Sequence, residues 1–142
     1  MDFTKFIQAT AGIHGVLGVI WLGISLHVIM FLKLPLHTGV RKAQAILAVL
    51  VTFAGLVLWH YLHPGVFGIR EAWLAVGVVC AIAAAGLQHG MAKANERRIR
   101  ALGPEPGEVA MPLLKKVRLA DRLAALLLAI ALVAMLGAGL LR

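Results

Sequence analysis

"LAALLLAIALVAMLGAGLL", residues 123–141, runs for nineteen positions without one polar side chain. Coiled as a helix it spans about 28 Å, close to the ~30 Å of a bilayer's hydrocarbon layer. Three more apolar stretches lie upstream, at about 9–32, 44–63 and 71–91, each near the same length. The chain is 61% hydrophobic and 14% charged over 142 residues, with a mean hydropathy of +0.92. A soluble domain of this size cannot bury that much apolar surface. The sequence therefore predicts an all-α, four-helix transmembrane bundle forming one domain over residues 1–142. The first stretch is read as a helix, not a cleaved leader. Only Lys5 precedes it, beside Asp2, and it lacks a small-residue cleavage motif.

Charge sets the expected orientation. Of fourteen Lys and Arg residues, eleven fall in two inter-helix regions. Lys33, Arg41 and Lys42 lie between the first and second stretches. Lys93, Arg97, Arg98, Arg100, Lys115, Lys116, Arg118 and Arg122 lie between the third and fourth. Lys5, Arg70 and Arg142 are left for the other side. The positive-inside rule then puts both loops in the cytoplasm and both termini on the non-cytoplasmic side, as in a bacterial inner membrane. The net charge of +8 is matched to anionic lipid. Nucleic acid is not expected as a partner, because no aromatic residues interleave with the charges. The lone Cys80 has no internal disulfide partner and reads as a small core residue.

Turn chemistry punctuates the chain. Pro35 and Gly39 come after the first helix, and Pro64 stops the second by disfavouring helical backbone at His63. Trp59 and Tyr61 suit an interfacial aromatic belt. The third helix is expected to continue past the membrane as the charged segment "AKANERRIRAL". "GPEPGEVAMP", with three prolines and two glycines, is the clear linker. The fourth helix reads as a packing helix, its small residues allowing close approach.

Six histidines stand in this apolar background. His14, His27, His60 and His89 fall within the spans, His63 at an edge and His37 in a loop. With alternating helix directions, His14 and His60 share one depth, and His27 and His89 share another. His14 and His27 are thirteen residues apart, so about 20 Å along the axis and about 140° around it. They cannot serve one site, but they can face different neighbours. Two imidazoles on facing helices are a recurrent way to hold a haem iron. Gly12, Gly15, Gly18, Gly23, Gly55, Gly77, Gly86 and Gly90 provide bare backbone against which a macrocycle can lie. The expectation is two b-type haems, one held by His14 and His60 and the other by His27 and His89. His63, Arg70 and Arg41, with Lys42, are secondary or propionate contacts. Trp21, midway between the two histidines of the first helix, reads as packing or as an aromatic between cofactors.

Plainer readings stand beside these. Glycine and alanine serve helix packing in any membrane bundle. Histidines near helix ends bond carbonyls or sit in the wet interface, Arg70 and Glu71 suit a solvated ion pair at a helix start, and His37 suits an ordinary loop position. A copper or zinc site from His14, His60 and His63 is an alternative to haem. The five methionines, Met1, Met30, Met91, Met111 and Met135, are scattered in sequence and suggest no copper relay.

The stretch "HGVLGVIWLG", with His14, Trp21 and Gly23, resembles the first helix of the CopD/HemJ-like group of small four-helix membrane proteins. "VTFAGLVL" and "WLAVGVV" are similar to that group's second- and third-helix segments. The resemblance covers about the first ninety residues. It implies haem and protoporphyrinogen oxidation, as in HemJ members, or copper handling, as in CopD members, with His14 as the haem or metal ligand. Where that group often carries a lysine in its third helix, this chain has Gly77 and its neighbours.

The sequence thus yields three functional expectations. The leading one is a b-type haem protein passing electrons across the bilayer through two bis-histidine haems, with a quinone or another redox protein as partner. The others are a HemJ-like porphyrinogen oxidase and a copper-transporting or copper-handling protein. Whether the chain is an enzyme, and whether it forms oligomers, stays open at this level.

Overall fold

The computed structural model describes residues 2–31, 38–62, 65, 67–103 and 107–140. Four long helices account for nearly all of them: α1 (Phe3–Phe31), α2 (Thr38–Leu62), α3 (Ile69–Ala101) and α4 (Met111–Leu140). A short 3-10 turn, Glu108–Ala110, leads into α4. All four are long and apolar enough to cross a membrane, and no strand occurs among the described residues.

Each helix is longer than its apolar stretch. The stretches at 44–63, 71–91 and 123–141 become helices starting at Thr38, Ile69 and Met111, and α3 runs on to Ala101. The apolar window marks the hydrocarbon-facing part. The helices continue where charges sit on an outer face and a narrow inner face stays buried. Thus Lys115, Lys116 and Arg118 are exposed on α4, while Val117, Ala120 and Asp121 on the same turns are buried. The expected continuation of α3 through "AKANERRIRA" is present. It includes a π-helical segment, Leu87–Ala92, between α-helical portions Ile69–Gly86 and Lys93–Ala101. Gly103, at φ 97°, ends α3 in the left-handed conformation that suits glycine after a helix. Pro35, His37, His63 and Pro64 lie outside the described residues.

The helices alternate in direction. Phe3 and Phe6 of α1 meet Tyr61 of α2 edge-on at 5.4 and 6.3 Å, and Gly137 of α4 backs onto the Trp73 ring of α3. These contacts define the terminal end of the bundle, where the chain starts and finishes. The basic end, opposite, gathers Arg41, Lys42, Lys93, Arg97 and the start of α4. α3 packs most extensively on α4, and α1 on α2 and α4.

The core is made of small residues. α4 lines it with Ala120, Ala124, Ala125, Ala131, Ala134 and Ala138, all buried, which lets the helices approach closely. Trp21, Leu47, Ala48, Val51, Ala84, Ala124 and Leu128 form the central cluster. Ala92, Ile99, Ala110, Val117 and Ala120 form a second one at the basic end. Large apolar side chains point outward, among them Val49, Phe53, Val79, Ile82, Val133 and Leu136. An apolar exterior around a bundle that carries its polar groups inside suits lipid as the solvent.

Candidate functional site

The inner face of α1 carries His14, Trp21, Ser25 and Val28, spaced by seven, four and three residues, so they form one stripe. His14 occupies the terminal half. Its Nδ1–H donates to the Val51 carbonyl of α2 at 3.0 Å. A carbonyl only accepts, so this bond fixes the proton on Nδ1, and the neutral ring presents a lone pair at Nε2. The atom facing Nε2 is Met135 Sδ of α4, at 3.3 Å. A thioether is also an acceptor. In the neutral ring, two lone pairs then face each other.

Gly55 makes this arrangement fit. A Cβ at that position would stand 3.1 Å from His14 Cε1. The Val51 carbonyl already accepts the helical N–H of residue 55, and the absent side chain lets the imidazole reach the same oxygen from the side.

The basic half is built differently. Arg41 of α2 is 5% exposed and engages all three of its nitrogens. Its Nη1 and Nη2 donate to Oδ1 and Oδ2 of Asp121 on α4, at 2.6 and 2.7 Å. Its Nε donates to Oε1 of Glu96 on α3 at 2.8 Å, and Nη2 lies 2.7 Å from the same oxygen in an ion pair. The remaining Nη1 proton goes to Gln44 Oε1 at 3.0 Å. The bidentate fork matches carboxylate geometry in a way lysine cannot. From Gln44 the network continues inward. Gln44 Nε2 donates to Ser25 Oγ at 3.4 Å and Gln88 Nε2 to the same oxygen at 2.9 Å. Ser25 Oγ donates to the Trp21 carbonyl, and Trp21 Nε1 donates to Gln88 Oε1, both at 2.9 Å. All four helices contribute, and Gln44, Gln88 and Glu96 are fully buried. Gln88 lies in the π segment, a kind of turn that recurs at functional sites.

The structure separates the expected haem ligands. His14 turns into the bundle. His27, about 140° around α1, is exposed on the outer face with Gly12 and Gly23. His60 is exposed on α2, its ring edge-on to Tyr61 at 5.0 Å. His89 is half-buried in the π segment, and its Nε2 is buried without a partner among the described residues. Inward His14 is thus matched by outward His60, and inward-leaning His89 by outward His27. The expected pairs do not face each other across a shared space.

Other expected contacts also moved. Arg41 is tied into the ion cluster and is no free propionate partner. Glu71 is buried, and its Oε2 accepts the Gly68 N–H at 2.9 Å, capping the start of α3. Arg70 is half-buried with Nε unpartnered among the described residues. Trp21 both packs and donates. Cys80 is half-buried and free. His63 cannot be placed, since it lies outside the described residues.

Sequence reading missed Met135, Glu96 and Asp121. Asp121 fell just before the apolar window, yet its spacing from Val117, Ala124 and Leu128 is that of one buried helix face, a signal present in the sequence. Met135 shares that face, 7, 4 and 3 positions from Leu128, Ala131 and Ala138, but nothing in its spacing points to its partner 121 positions away. Among the described residues no three His, Cys, Asp or Glu side chains converge as a metal site. The side chain facing His14 Nε2 is the thioether of Met135. Comparisons with models of protein families, with curated proteins and with solved structures find no match.

Proposed function

We propose that this chain is a membrane protein that handles copper(I), taking the ion between His14 Nε2 and Met135 Sδ in the terminal half of the bundle. The observation that carries this reading is the contact of His14 Nε2 with Met135 Sδ at 3.3 Å, in which a neutral imidazole and a thioether both offer lone pairs. Imidazole suits copper and a thioether selects its soft cuprous form over zinc, magnesium or calcium. The Val51 carbonyl acts as the outer partner that metal-bound histidines use to fix tautomer and ring orientation. Removal of water from a monovalent ion in this apolar setting is offset by two donors already held side by side. If the basic end faces the cytoplasm, as its charge favours, the ion meets His14 and Met135 from the opposite side of the membrane.

A haem reading keeps one support: histidine and methionine together also ligate haem iron. The arrangement of the other histidines does not fit it. Two bis-histidine haems need His27 and His60 inside the bundle, and both are exposed on its surface.

The test uses the full chain purified in detergent under reducing conditions and titrated with copper(I). One ion per chain is expected, with nitrogen and sulfur neighbours in X-ray absorption. His14→Ala should abolish binding, and Met135→Leu should remove the sulfur signal and weaken affinity. Protein that carries haem absorption bands and binds no cuprous ion would hand the site to iron. Copper bound with no sulfur neighbour would also defeat the proposal.

A further inference from the structure

The ion cluster at the basic end contains one cation and two carboxylates. Arg41, Glu96 and Asp121 are 5%, 0% and 3% exposed. With both acids ionised, the cluster holds one uncompensated negative charge away from water, a state that proteins neutralise instead of tolerating. The hydrogen bonds show where the missing positive charge belongs. All three Arg41 nitrogens are engaged. Both oxygens of Asp121 accept from Arg41, and Oε1 of Glu96 accepts from Nε and pairs with Nη2. Oε2 of Glu96 is buried and has no partner among the described residues.

The groups around that oxygen leave it alone. Arg41 approaches from α2 and Asp121 from α4, each committed as described. On α3 itself, Arg100 stands one turn away and exposed, while Lys93 and His89 lie on the preceding turns. Described α1 brings no charged side chain to the cluster, only Ser25 through Gln44. Ile99, Ala110 and Val117, each at most 1% exposed, wall off this end from the surface.

We propose that the Arg41–Glu96–Asp121 cluster is a proton-binding site, the proton being held on Oε2 of Glu96. The site stands independently of metal binding at His14. Release of the proton leaves Glu96 as a carboxylate and the cluster with a net charge of −1. Uptake restores neutrality without breaking any Arg41 bond, because Oε1 keeps those. The cluster is thus a one-proton store, joined through Gln44, Ser25 and Gln88 to Trp21, two helical turns below His14 on the same stripe of α1.

Infrared spectroscopy of the full chain in detergent tests this through the carbonyl stretch of a protonated carboxylic acid. At neutral pH the wild type should show that band from a buried group, shifted on exchange into deuterated water. Glu96→Gln should remove it. Asp121→Asn should remove it as well, because one carboxylate then balances Arg41 and Glu96 no longer needs the proton. A purely structural ion cluster gives no such dependence on a neighbour's charge. Absence of the band in the wild type, its survival in Glu96→Gln, or its survival in Asp121→Asn would overturn the proposal. So would a band that appears only when sodium is removed, which would make the store one for a metal cation.

Discussion

The two halves of this bundle solve the problem of a polar group in hydrocarbon in opposite ways. At the basic end, one guanidinium satisfies three side chains and a relay of amides carries the bonding from helix to helix. At the terminal end, one histidine makes a single proper hydrogen bond and points its other nitrogen at a second acceptor. Among the described residues, the first arrangement leaves Glu96 Oε2 without a partner, and His89 Nε2 stands unpartnered on the same helix. The second sets the other nitrogen against a thioether, the pair proposed above to take copper(I). A nearly saturated network fixes the packing of helices, whereas a pair of facing donors suits the proposed binding.

The largest effect should come from breaking the saturated half. Arg41→Leu leaves two buried carboxylates without their cation, and the loss should be about 3–5 kcal/mol of stability. Thermal unfolding of the detergent-solubilised variant measures it, and a change no larger than that of a surface substitution would mean the cluster is wet in solution. Next comes Trp21→Phe, which keeps an aromatic ring but strips Gln88 Oε1 of its donor. Leaving a buried acceptor unpaired should lower stability by about 1–3 kcal/mol. Copper binding should persist in this variant, since the two halves touch only through packing. A parallel loss of both would show that they are one unit.

A subtler change addresses the terminal half alone. Gly55→Ala places a Cβ 3.1 Å from the His14 ring, so the imidazole must shift by a few tenths of an ångström from the Val51 carbonyl. Copper(I) affinity should fall by about tenfold, as when an outer hydrogen bond to a metal-bound histidine is disturbed, with the helical content unchanged. Unaltered affinity would remove Val51 from the site. The smallest effects belong to His27→Ala and His60→Ala. Both side chains are exposed on the bundle's outer face, and neither variant should change copper binding or thermal stability measurably. A lost metal or haem signal in either would restore the histidine pairing read from depth.

Hydropathy made the four spans legible, because lipid demands a run of apolar residues whatever the packing inside. Helix rise and turn also separated His14 from His27 correctly, since both lie on one rigid element. What spacing could not supply was the rotation of each helix against its neighbours. That rotation decides that His14 faces in while His60, at a similar depth, faces out. Charged residues were misread for a related reason. A dense run such as 115–122 looks like a loop when summed, yet Asp121 sits on its buried edge and Arg122 on its exposed one. Contacts such as His14 with Met135 join distant parts of the chain and leave no local trace.

The π segment of α3 bears on that same limit. Ala84 and Glu96 are both fully buried, but twelve residues of ideal α-helix would set them about 120° apart. The wide turns at Leu87–Ala92 take up the difference, as a helix does when it absorbs one inserted residue and keeps its later turns in place. Counting along an unbroken helix would place Glu96 a third of a turn off the inner wall. The carboxylate that meets Arg41 is therefore positioned by an interruption in the helical period, and the polar half of the bundle depends on it.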